Sequence, residues 1–205
     1  MRKLSTLVAL LLCSCSDGGS PPPPPSPVVV ASEINLSSSG PWVVTHGKQL
    51  PAWSGGGFDF PVCSDPVTCG VGYVEYPLRA NISALGGIYV RFNISGDRPV
   101  FSYKTEAGNT CDGPPAGVRL FMSSGNLANR WFSNKIVTLE LGQLEISESI
   151  RDPSLWQSVP PASFSQVLAN IGSLGFGLGG GCFAAHNVAV TSGRARFDLT
   201  EYKVQ

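Results

Sequence analysis

Four segments of this chain alternate apolar and polar residues with a period of two, and that alternation limits the fold more than any other feature of the sequence. Ile88, Val90, Phe92 and Ile94 alternate with Tyr89, Arg91 and Asn93. Val118, Leu120 and Met122 alternate with Arg119 and Phe121. Val137, Leu139 and Leu141 alternate with Thr138 and Glu140, and Ala195, Phe197 and Leu199 with Arg196, Asp198 and Thr200. Successive side chains of a strand point to opposite faces, so each segment reads as a strand with one face buried. In the last segment the parity slips, because Tyr202 and Val204 fall on the other side. A β-bulge near Glu201 would return them to the buried face.

Turn signals separate the runs: Ser95-Gly96-Asp97, Asp112-Gly113-Pro114, Ser124-Gly125-Asn126 and Ser192-Gly193. The chain is rich in turn formers, with 24 glycines and 17 prolines. Helical signals are confined to two places. Asp152-Pro153 opens a single turn through Trp156, with Pro suited to the first helical position. Ser163–Ile171 places a capping serine ahead of an apolar stripe of Phe164, Val167, Leu168 and Ile171. No strand–helix–strand repeat appears. The expected fold is all-β: an antiparallel, jelly-roll-like sandwich over 41–205 with one or two short helices.

The first forty residues have a different character. Arg2 and Lys3 precede the apolar run Leu4–Leu12, which as a helix spans roughly 14 Å and is too short for a bilayer core of about 30 Å. It reads as the apolar region of a signal peptide covering 1–14. Leu12-Cys13-Ser14-Cys15 resembles the bacterial lipobox, in which a small residue precedes the cysteine that is acylated. Cys15 fits that role and Cys13 does not. The resemblance implies a lipid anchor on Cys15 as the link to a membrane, and Ser16 rather than Asp after it implies the outer membrane in a Gram-negative source. Residues 16–27, SDGGSPPPPPSP, have nothing apolar to bury; Pro21–Pro25 favour polyproline II. A disordered spacer is expected over 15–40, with Ser37-Ser38-Ser39-Gly40 as its soft end.

Removing 1–14 leaves Cys63, Cys69, Cys111 and Cys182 in the domain, an even number that suits two disulfides in an exported protein. Three connectivities are possible, and Cys63–Cys69 with Cys111–Cys182 is favoured because the first pair closes a local loop around Pro66. Zinc is disfavoured, since no Cys-x₂-Cys pair occurs. No cofactor is expected. The formal charge of the whole chain is zero, and the loss of Arg2 and Lys3 leaves 12 basic against 14 acidic residues. That balance argues against nucleic acid as a partner.

Catalytic motifs are weak. Gly175–Gly180 fits G-x-G-x-x-G, but a helix candidate precedes it instead of a strand, so it reads as a glycine-rich strand and turn. Neither G-x-S-x-G nor H-E-x-x-H occurs. The two histidines, His46 and His186, read as structural. Glu75, Glu140, Glu145 and Asp198 lie on or near strands with nothing to pair them as a glycosidase would need.

The stretch LANIGSLGFGLGGGCFAAHNVAVTSGRARFDLTEYKV (168–204), with Arg130-Trp131-Phe132-Ser133 and Asp152-Pro153-Ser154-Leu155-Trp156, resembles bacterial exported β-sandwich domains akin to galactose-binding-type jelly rolls, the architecture of many carbohydrate-binding modules. The resemblance implies a non-catalytic domain that holds a glycan on exposed aromatic and polar side chains. Trp42, Trp53, Trp131 and Trp156 could supply platforms. Tyr89, Arg91, Arg119 and Phe121 lie on the outward parity of their strands. Tyr89, Arg91 and Arg119, with Arg130 and Trp131, form the candidate binding set, if they converge on one open face. A structural or protein-interaction subunit of an envelope complex is the alternative, and a hydrolase a lesser one.

Overall fold

The computed structural model describes residues 29–30, 32–45, 50–104, 115–124, 129–158, 163–180 and 187–205. The leader, Cys15, the proline run, both histidines, Cys111 and Cys182 lie outside them. The chain forms an antiparallel β-sandwich. Its strands in order are β1 (Val29–Val30), β2 (Ile34–Asn35), β3 (Val43–Thr45), β4 (Gly57–Asp59), β5 (Tyr73–Asn81), β6 (Gly87–Lys104), β7 (Gly117–Ser123), β8 (Arg130–Ser133), β9 (Val137–Thr138), β10 (Gly142–Ser149), β11 (Trp156–Ser158), β12 (Ile171–Gly179) and β13 (Asn187–Val204). The larger sheet runs β1-β5-β12-β7-β8-β11, with β3 also on β5 and β9 on β7; the smaller runs β10-β6-β13-β2, with β4 also on β13. Among the described strands β1 alone joins its neighbour in parallel, and an isolated bridge from Val62 to Val190 is also parallel.

The period-two segments lie in these sheets as the alternation requires. Ile88, Val90, Phe92 and Ile94 of β6 and Phe197 and Leu199 of β13 face Val118, Leu120 and Met122 of β7 across one core. An aromatic group fills its centre. Phe197 stacks on Phe92 at 4.8 Å and on Phe58 at 5.5 Å, and meets Phe176 edge-on at 5.3 Å. The bulge is where the parity slip placed it. Leu199 pairs with Phe92 and Glu201 with Arg91, so exposed Thr200 has no partner opposite it. Tyr202 and Val204 return to the core beside Val90 and Ile88.

Two of the turn signals do not end strands. Ser95-Gly96-Asp97 and Ser192-Gly193 lie opposite each other inside β6 and β13, each 18 residues long, and the register shifts between Val190 and Arg194. Gly193 has φ +79, and a Cβ there would strike the carbonyl oxygens of Asp97 and Arg98. The glycines thus bend a continuous pair of strands where a sequence reading expects separate ones. The segment expected over Val137–Leu141 is likewise shorter. Leu139 is buried, but Leu141 is 49 % exposed. The chain leaves the larger sheet there and turns through Gly142, at φ +114, into β10 of the smaller one.

The helical signals lie where expected, but both elements end early, with Trp156 opening β11 and Ile171 opening β12. Asp152 caps the single 3₁₀ turn Pro153–Leu155 by accepting from Ser154 N, and Trp156 is buried behind it. Ser163 caps a helix at Phe164–Ala169, which buries Val167 and Leu168. The glycine-rich stretch is β12, the central strand of the larger sheet. A Cβ on Gly175 would collide with the Val74 carbonyl of the adjoining strand, so the close approach of β12 and β5 requires glycine there.

The boundary at residue 40 needs correction. β1 pairs with Ala80 and Asn81, and β2 pairs with Lys203 and Val204, so the fold takes in residues well before Pro41. Ser37 and Ser38 are held by two indoles: Trp42 Nε1 donates to the Ser37 carbonyl at 2.8 Å and Trp53 Nε1 to the Ser38 carbonyl at 2.9 Å. A polar stretch with no apolar residue of its own is thereby ordered by partners more distant in sequence.

Cys63 and Cys69 form a disulfide with Cα atoms 6.6 Å apart, closing the loop around a short helix at Pro66–Cys69. Cys63 N donates to Val190 O and Val71 exchanges hydrogen bonds with Val188, so the loop is tied to β13 on both sides. Loop-closure entropy gives this bridge about 2–2.5 kcal/mol. The double variant C63S/C69S is expected to lose that amount in a urea titration, with an unchanged slope.

Candidate functional site

The residues expected to converge do not share a face. Tyr89 and Arg91 are on β6, in the smaller sheet, and Arg119, Arg130 and Trp131 are in the larger one. Arg130 and Trp131 are themselves divided. Trp131 pairs with core-facing Met122, while Arg130 pairs with outward-facing Ser123. Trp131 packs edge-on against Phe164 at 4.8 Å on the core side. Adjacent residues of a strand point to opposite faces, so these two cannot serve one sugar ring together. The other tryptophans are also taken up by the fold. Trp42 and Trp156 are buried, and Trp53 packs half-buried against Trp42 at 5.2 Å. None of the four stands as an open platform.

The outer face of the larger sheet is exposed at Val43, Pro77 and Arg79 but closed around Arg119. Tyr73, Phe121 and Phe132 form a second buried cluster there. Arg119 is buried, donates to the Ser133 carbonyl at 3.3 Å, and has its pKa pulled down by desolvation. Arg130 lies over the Tyr73 ring, its Cζ 5.8 Å from the centroid, and donates to the Tyr73 hydroxyl at 2.8 Å. Beside them, Glu75 accepts from Thr45 Oγ1 at 2.7 Å and from Ser173 Oγ at 2.9 Å, and Ser173 Oγ is 2.8 Å from Ser123 Oγ. Glu75, Ser123 and Ser173 are all buried, so this relay satisfies polar groups sealed from water and is not placed to attack a substrate.

The outer face of the smaller sheet is different: it is polar and open to solvent. β6 and β13 set side chains opposite one another in five rungs: Tyr89 with Lys203, Arg91 with Glu201, Asn93 with Asp198, Ser95 with Arg196, and Asp97 with Arg194. β10 extends the first three rungs with Ser147, Glu145 and Gln143. β2 adds Asn35 beside Lys203, and β4 adds Asp59 beside Arg196. All of these side chains are half-buried or exposed.

Ion pairs cross the rungs. Arg91 Nε donates to Glu145 at 2.8 Å, and its Nη1 lies 3.7 Å from Glu201, whose other oxygen pairs with Lys203. Arg196 pairs with Asp198 at 2.8 Å and with Asp59 at 3.4 Å, and donates to the Ser54 carbonyl at 2.6 Å. The Arg91 guanidinium lies 5.6 Å from the centre of the Tyr89 ring. Hydrogen bonds from Arg91 and then Tyr89 hold the Glu145 carboxyl below the usual carboxylate range, and Glu201 raises Lys203. The Glu145 pairing is therefore complete above the ordinary carboxylate range and lost as pH falls through the lowered value. The Lys203 pairing is complete below the ordinary lysine range and lost as pH rises through the raised one. At neutral pH both of these pairings are in place. At its far end a cleft of about 400 Å³ opens between Asp59, Phe60 and Val62 on one side and Ser95, Arg194 and Arg196 on the other.

Sequence reasoning put Tyr89 and Arg91 in the binding set and left Glu201, Lys203, Asp198 and Arg196 out of it. The bulge near Glu201 was the available signal. Once Tyr202 and Val204 return inward, Glu201 and Lys203 must stand on the outer face with the polar residues of β6. Comparison with family models, with curated proteins and with solved structures finds no match. Among the described residues no group of three or more His, Cys, Asp or Glu could hold a metal ion, and no helix is long and apolar enough to cross a membrane.

Proposed function

We propose that the chain is an exported lipoprotein, cut before Cys15 and held by lipid on a membrane, whose β-sandwich is a non-catalytic module that binds carbohydrate on the outer face of its smaller sheet. The observation that carries the reading is the ladder around Tyr89 and Arg91: an open array of charged and polar side chains with an aromatic ring among them. Such side chains match the paired hydroxyls of a sugar, and their mutual ion pairs hold them in place before a ligand arrives. The broad open face is polar, and an interface core in an envelope complex would be depleted of such charges.

A protein-interaction role finds its support elsewhere, at a cleft of about 420 Å³ lined in part by Pro99, Phe101 and Leu141, near exposed Val100. The outer membrane is the proposed address. Two measurements test the reading. Cys15→Ser is expected to move the protein from the membrane to the soluble fraction, because the acyl chains supply the attachment. The mature Cys15→Ser chain is expected to bind on a glycan array. Absence of binding to any immobilised glycan overturns the carbohydrate reading and leaves the protein-interaction role.

A further inference from the structure

The ladder also carries information about the charge of what it binds. Its first four rungs, with the flanking strands, bring together three cations, Arg91, Arg196 and Lys203, and each is already paired with carboxylates of the same face. Those carboxylates are Glu145, Glu201, Asp198 and Asp59, four against three. The fifth rung adds one charge of each sign, Asp97 and Arg194. The face thus has no surplus of positive charge along its length. A polyanion laid on it would have to displace carboxylates from their arginines and would meet like charge where it did so. An uncharged polymer meets no such cost. The ladder side chains are half-buried or exposed, so N–H and oxygen sites that the ion pairs leave unused can bond hydroxyls without breaking a pair.

The geometry points to an uncharged, extended oligosaccharide as the ligand, lying along β6 and β13 with its end in the cleft between Asp59 and Arg194. This rests on the carbohydrate reading above and narrows it. Tyr89 to Asp97 spans eight residues of strand, about 26 Å, enough for several sugar rings. Because no net charge is neutralised on binding, affinity is insensitive to salt.

Affinity electrophoresis of the mature Cys15→Ser chain tests this. The gels contain a neutral probe (dextran, galactomannan or a soluble β-glucan) or an anionic one, polygalacturonate. Retardation is expected on at least one neutral polymer, unchanged up to about 0.5 M NaCl, with none on polygalacturonate. Arg91→Ala is expected to weaken the neutral retardation about tenfold. The double variant E201Q/D198N removes two carboxylates and leaves the cations in excess, and it is expected to gain retardation on polygalacturonate. Circular dichroism and thermal unfolding like the parent's establish that both variants fold. Salt-sensitive retardation of the parent chain on polygalacturonate, with none on neutral polymers, overturns the inference and leaves carbohydrate binding standing. No retardation on any polymer overturns both.

Discussion

Inserting one alanine between Glu201 and Tyr202 is expected to unfold the domain. Thr200 is the extra residue of the bulge in β13, exposed and without a partner on β6, and beyond it Glu201 and Lys203 stand outside while Tyr202 and Val204 are buried. With one more residue after Glu201 the three that follow shift by one position, and each changes face. Tyr202 and Val204, now 1 % and 0 % exposed, would turn to water, and Lys203 would enter the core beside Ile88. Fully burying a large apolar side chain contributes about 1.5–3 kcal/mol, and an unpaired buried charge costs several more. The sum is comparable with the stability of an ordinary domain, about 5–15 kcal/mol. Deleting Thr200 instead makes Leu199 opposite Phe92 and Glu201 opposite Arg91 consecutive rungs, keeps every face, and is expected to leave the domain folded. The check is a far-ultraviolet circular dichroism spectrum and a urea titration of the insertion beside the deletion and Thr200→Ala. The point variant keeps the register and is expected to unfold within about 0.5 kcal/mol of the parent.

The second large effect is Phe197→Ala. Phe197 is fully buried and touches Phe92, Phe58, Phe176 and Trp53, rings drawn from both sheets and from the loop before β4. Neighbours on rigid strands can collapse only partly into the space, so the cost is the lost transfer energy plus a cavity, about 3–5 kcal/mol. Val100→Ala removes an apolar group that is 53 % exposed and is expected to change stability by no more than about 0.5 kcal/mol. Urea midpoints for the two variants separate these cases.

The two predictions also mark how far the sequence could be read. Alternation is a local signal, and in three of the four segments it gave the right face, Val137–Leu141 being the exception. Phe92, Leu120 and Phe197 are in the core, Tyr89 and Arg91 are outside it, and the parity slip after Leu199 located a bulge to within a residue. Long-range effects were not legible. Gly96 and Gly193 look like two turns until β6 and β13 are laid side by side, when they become one bend. Ser37 and Ser38 look like spacer because the indoles that hold them, on Trp42 and Trp53, cannot be assigned to them from composition.

The candidate site was half legible for the same reason. Parity within one strand placed Tyr89, Arg91, Arg119 and Phe121 outward, but outward has two meanings in a sandwich. The outer face of the larger sheet is buried around Arg119 and Phe121, whereas that of the smaller sheet is open. Which sheet a strand joins is decided by pairing, and no single strand records it. Trp131 shows the converse: a large aromatic next to an arginine suggests a platform, and its register opposite Met122 turns it inward.

The measurement closest to the central claim is a map of amide chemical shifts. The mature Cys15→Ser chain, isotope-labelled, is titrated with oligosaccharides from whichever neutral polymer retards it, or with galactomannan, dextran and β-glucan fragments in turn. Binding at the ladder predicts saturable shifts at Tyr89, Arg91, Asn93, Asp198, Glu201 and Lys203, with Arg119, Arg130 and Phe121 unmoved. Shifts centred on the larger sheet, or none with any fragment, would contradict it.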